Sequence, residues 1–166
     1  MLSPKLIMSP IDFSQHSHEA LDAATDLAST FGAELFLVHV VPAIPRLPSA
    51  AAILHEREYE EELHNGATAR LDEMVKAIED RGLKARGEVG TANDVSMELL
   101  RIAEHNGVDL IVIATHGMTG WHKLAFGSVT EKVVRLAPCP VLVLRARPEV
   151  NSEQATKAES VATVAR

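Results

Sequence analysis

The chain has 166 residues, 46% of them hydrophobic and 23% charged, with a net charge of −7. This length and apolar content suit one domain with its own core and exclude a disordered chain. An acidic balance without a Lys/Arg stripe excludes nucleic-acid backbones and anionic membrane surfaces as main partners, and a lone cysteine, Cys139, excludes an internal disulfide.

Aromatic residues make up only 4%, so the core must be built from Val, Leu, Ile and Ala. That is the habit of helix-covered parallel sheets. No apolar run approaches the ~20 residues of a membrane span, and the N-terminus lacks a signal-peptide core. A soluble, cytoplasmic protein is expected.

In chain order, Lys5–Ile11 reads as a strand. Ser14–Thr30 reads as a helix, with Ala20, Leu21, Ala24, Leu27, Ala28 and Phe31 at helical spacing, Ser14 or Ser17 as cap and Gly32 as stop. Ala33–Val41 is a second strand, apolar on both faces. Three prolines, Pro42, Pro45 and Pro48, then predict a loop from Pro42 to Ala51. Ala52–Arg81 is a long helical pattern in which Gly66 marks a break or weak turn. Lys84–Val89 is a shorter, more polar strand suited to a sheet edge. Asn93 or Asp94 caps the next helix, which runs to about His105. Asp109–Ala114 is the most apolar strand, Ser128–Leu136 a helix and Pro140–Arg145 the last strand. Past Arg147 the periodicity fails; residues 1–147 are read as the domain and 148–166 as a flexible tail.

Strands alternating with helices predict an α/β fold, a five-stranded parallel open sheet with helices on both faces. Ligands of such sheets bind beyond the carboxyl ends of the strands. There the sequence places "SPID", "HVVP" and "IATHG", then Gly127 and Ser128 at the start of a helix. The first amides of a helix have no intrahelical partner and carry partial positive charge, which suits an anion. Gly127 allows close approach, and Ser128 and Thr130 add hydroxyls. The plainer alternative is that Ser128 is a helix cap with Glu131 as its capping-box partner and the glycines only make turns. Neither a Walker loop nor a G-x-G-x-x-G fingerprint is present.

The stretch Ala114-x2-Gly117-x9-Gly127-Ser128 resembles the G-x2-G-x9-G-[ST] pattern of the ATP-binding universal stress proteins. "SPIDFS", "LVHVV" and "PCPVLVLR" resemble the first, second and fifth strands of that family, and the likeness spans about residues 3–146. Ala114 departs from the pattern, standing where its first glycine belongs.

The resemblance implies a Rossmann-like sheet of order 3-2-1-4-5 with ATP across its strand ends, with Mg or Mn as a possible companion. Pro10, Ile11 and Asp12 would line the base and ribose, with Val40 beside the base. Ile113, Ala114 and Gly117 would form the floor, and Gly127, Ser128, Val129 and Thr130 would hold the phosphates. It further implies a homodimer joined through Val141–Arg145 and a nucleotide-responsive stress or regulatory role with an unknown protein partner.

Two alternatives stay open: a slow ATPase or phosphotransferase, and a stress protein without nucleotide that acts through dimer or partner contacts. No catalytic base is legible beside the phosphates, although Asp12 and Lys123 are available; Asp12 has the alternative role of a helix cap. No metal motif joins His16 with His18 or His116 with His122, and His39 reads as a hydrogen-bonded core histidine. Cys139 reads as a small buried residue, and Trp121 as a loop residue that covers a ligand or meets a partner.

Overall fold

The computed structural model describes residues 3–43, 50–115 and 127–145, with the side chains of 50–56 left aside. Nine elements alternate along the chain: β1 (Leu6–Pro10), α1 (Gln15–Phe31), β2 (Glu34–Pro42), α2 (Ala50–Glu79), β3 (Ala85–Ala92), α3 (Val95–Asn106), β4 (Leu110–Ala114), α4 (Ser128–Leu136) and β5 (Val141–Leu144). The strands form one sheet in the order β3-β2-β1-β4-β5, all parallel. The order reverses at β1, so β1 and β4 flank the switch point where such sheets take ligands.

Side-chain alternation splits the core into two layers. Ile7, Leu35, Leu37, Leu110 and Val112 pack with α1 and α2 residues such as Leu21, Ala24 and Leu71. Met8, Phe36, Val38, Val40, Ile111 and Ile113 pack with Leu99, Ile102 and Val133 of α3 and α4. Both sheet faces are therefore covered, which explains why β4 is apolar throughout and why β1 and β2 carry apolar residues on both faces.

The caps of α1 agree with the sequence. Ser14 accepts from the amide of Ser17, and Gly32 closes the helix at φ +65°. Asp94, not Asn93, caps α3 by accepting from the amide of Met97.

Three boundaries differ from expectation. Helix α2 runs unbroken through Gly66, which has nothing near its missing Cβ, because Ala67, Leu71 and Ile78 beyond it are buried. Packing outweighs the ~1 kcal/mol that glycine costs in a helix. The expected loop is shorter at both ends: Pro42 still pairs with Ala92 as the last residue of β2, and α2 begins at Ala50. Strand β3 continues past Val89 to Ala92, since β2 offers it a full ladder. Its Gly87 lets α2 approach closely; a Cβ there would lie 3.0 Å from Leu71 Cδ2. The tail and the glycine-loop residues Gly117, Gly120, Trp121 and Lys123 lie outside the described residues, as do His116 and His122.

Candidate functional site

The carboxyl end of β4 and the start of α4 are tied together by the backbone. The Gly127 amide donates to the Thr115 carbonyl at 2.8 Å, and the Thr130 hydroxyl donates to the Ala114 carbonyl at 2.8 Å. Thr130 is buried, so its hydroxyl is structural and only its amide remains to face a ligand. Gly127, not Ser128, is the N-cap of α4, and among the described residues no side chain caps the helix. The capping box of Ser128 with Glu131 does not form, because Ser128 already lies one residue inside the helix. The amides of Ser128, Val129 and Thr130 have no intrahelical acceptor in this arrangement. A Cβ on Gly127 would sit 3.3 Å from the Thr115 oxygen, so this turn is closed to a larger residue without adjustment. This is a cradle suited to phosphate oxygens.

Ala114 continues the alternation that turns Leu110 and Val112 toward α1. Its methyl therefore faces the α1 layer, away from α4, and its carbonyl holds Thr130. Val40, Ile113 and Val129 meet in the α3/α4 layer, beside the partly buried Ala92 and Val95. Together they make an apolar floor at the strand ends.

At the end of β1, Pro10 leads into Ile11, whose amide donates to the Val38 carbonyl at 2.8 Å. Asp12 Oδ1 accepts from the Ser14 amide at 3.0 Å and the Ser14 hydroxyl at 2.5 Å, so the aspartate supports the cap of α1 without being the cap itself. Phe13 takes φ +62°, a left-handed conformation rare for a bulky residue. Such strain persists only where surroundings impose it. Here they do: the Phe13 ring packs on His39 with centroids 4.6 Å apart, and the Arg70 guanidinium lies 3.9 Å above it. His39 Nδ1 is 2.7 Å from the Ile11 carbonyl, so that nitrogen carries the proton. Burial lowers the His39 pKa below the ordinary histidine value; the Ile11 hydrogen bond and Asp12 oppose that shift, and Arg70 reinforces it. His39 is hydrogen-bonded as expected but half-buried at the strand end rather than in the core, and it also fixes the turn that carries Asp12.

A second charged group stands on the same rim. Lys132 Nζ of α4 lies 2.5 Å from Asp94 Oδ2 at the cap of α3. Lys132, then the Ser96 hydroxyl and the Met97 amide, hold the Asp94 carboxyl well below the usual carboxylate range. Sequence reading gave Asp94 only a capping role and overlooked Lys132, its partner 38 positions away. The sole advance sign was that Ser128 and Lys132 are four apart and share a helix face. Among the described residues, no group of three or more His, Cys, Asp or Glu side chains is arranged to hold a metal ion. Cys139 is half-buried, and burial raises its thiol pKa.

The model of the universal stress protein family matches residues 4–145. The chain belongs to the universal stress protein family. Universal stress protein MJ0531 of Methanocaldococcus jannaschii is 35% identical over 141 residues, covering 85% of this chain and 82% of the relative. Universal stress protein MJ0577 of the same organism is 32% identical over 156 residues, covering 85% and 94%. The solved structure of MJ0577 superposes with a TM-score of 0.77 at 28% identity, over 90% of this chain and 100% of that one. A universal stress protein of Archaeoglobus fulgidus solved in complex with dAMP has a TM-score of 0.58 at 20% identity, over 86% and 98%, a likeness of fold.

Proposed function

We propose that this universal stress protein binds an adenine nucleotide, ATP foremost, and that occupancy governs what its surface offers a partner. The observation that carries this reading is the start of α4: a helix end with no side-chain cap among the described residues, its Gly127 pinned to Thr115. In this reading the phosphates rest on the amides of Ser128, Val129 and Thr130, with the Ser128 hydroxyl adding a donor. The base and ribose lie over Val40, Ile113 and the Pro10–Asp12 turn, with the backbone of Ala114 continuing the floor. The direction of the Ala114 methyl supports binding despite the missing glycine, since it leaves the α4 side clear. Asp12 stands at the ribose end, which spares it from repelling the phosphates. A Mg or Mn ion, where it accompanies ATP, would reach the site with the phosphates.

The dAMP complex of the Archaeoglobus protein lends support, since the same fold takes an adenine nucleotide there. We extend the reading to a cytoplasmic homodimer joined through Val141–Arg145; β5 is a sheet edge, with Leu142 41% exposed and Val134 and Leu136 of α4 exposed nearby.

The test is to purify the protein without added nucleotide, denature it, and identify what is released by chromatography and mass spectrometry. Near-stoichiometric ATP supports the reading. ADP alone would favour turnover, and an empty protein that also fails to take up ATP would contradict binding.

A further inference from the structure

Lys132 lies in the second turn of α4, yet its ammonium is at the rim of the sheet. The position of Asp94 settles this: Asp94 follows β3 by two residues, and Lys132 Nζ is 2.5 Å from its Oδ2. Helical side chains lean toward the helix N-terminus, and Lys132 stands one turn below Ser128 on the same face. Its ammonium thereby reaches back from the second turn of α4 to the level where α3 begins, on the rim that carries the strand ends. Both partners stay accessible, with side chains 32% and 47% exposed. An ion pair this exposed contributes little and exchanges readily for a stronger anion. Asp94 keeps two other donors, the Ser96 hydroxyl and the Met97 amide, when Lys132 leaves.

We propose that Lys132 is the residue by which this site counts phosphates: it leaves Asp94 for the distal phosphates of a bound nucleotide and so favours ATP over AMP and adenosine. The exchange also unties the start of α3 from α4, giving a triphosphate an effect on the fold that a nucleoside lacks. The inference rests on the nucleotide reading of the site.

The experiment is calorimetric titration of the full chain, emptied of nucleotide, with ATP, AMP and adenosine. Three variants are compared with the wild type: Lys132→Met, Lys132→Arg and Asp94→Asn. A charge-assisted contact to phosphate predicts that Lys132→Met weakens ATP about tenfold while adenosine stays within about twofold. Lys132→Arg should restore most of the ATP affinity. Asp94→Asn keeps a good helix cap and removes the competitor, so ATP should bind as tightly or tighter. Equal losses for ATP and adenosine in Lys132→Met would show a merely structural lysine and overturn the inference, as would unchanged ATP affinity. A wild type that binds neither ATP nor adenosine would overturn the nucleotide reading and this inference with it. A wild type that binds ATP while Lys132→Met binds it equally well would leave that reading standing and remove only the inference.

Discussion

At the scale of single residues, the site depends on hydrogen bonds that fix backbone, more than on reactive side chains. Thr130 illustrates this. Its hydroxyl is buried and donates to the Ala114 carbonyl, stitching the first turn of α4 to the end of β4. Thr130→Val keeps the shape and leaves that carbonyl without its donor, so stability should fall by about 1–2 kcal/mol in chemical denaturation, while Thr130→Ser should retain most of it. A Val variant as stable as wild type would show that Ala114 has a substitute partner. His39 provides a second test. Burial disfavours its charged form, so NMR should show the ring titrating below 6.5, with Nδ1 protonated in the neutral form. The sign follows: the unfolded chain takes up a proton on His39 at higher pH than the native protein does. This residue's contribution is therefore complete above the ordinary histidine value and is lost as pH falls through the lowered one. Titration above 6.5 would contradict the half-buried, hydrogen-bonded placement.

Among the elements, α4 and β5 carry the proposed phosphate and dimer contacts, and they were not equally legible. The glycine-to-helix junction is plain in the sequence, because Gly127 and Ser128 precede an amphipathic run. The choice of N-cap was not, since Ser128 is an equally good cap by composition and only the fold decides it: the Glu131 amide donates to the Gly127 carbonyl, making Gly127 the cap. Gly66 misled for a related reason: local propensity argued for a break, and the burial of Leu71 and Ile78 overrode it. For β5, an exposed Leu142 on an edge strand predicts self-association. Leu142→Glu should shift the protein from dimer to monomer in light scattering after gel filtration, with circular dichroism unchanged. A monomeric wild type would refute the proposed interface.

For the whole molecule, the sheet order was legible only through resemblance, whereas the alternation of strands and helices was legible from pattern. Apolar runs on β1, β2 and β4 already implied a sheet covered on both faces, and the two core layers bear this out. Contacts between distant segments were not legible. Asp94 with Lys132 are 38 positions apart, and Ile11 with His39 are 28 apart; nothing local announces either pair. They exist because parallel crossovers bring every strand end and every following helix start to one rim. That convergence is why the rim is the candidate site, and at Gly127 a Cβ would lie 3.3 Å from the Thr115 oxygen. The most direct measurement is calorimetric titration of emptied protein with ATP, wild type beside Gly127→Val, with the fold of each checked by circular dichroism. Stoichiometric binding by the wild type, weakened at least about tenfold in the folded variant, is the expected result. Equal affinity in the two proteins, or no binding by either, would contradict a phosphate cradle at the start of α4.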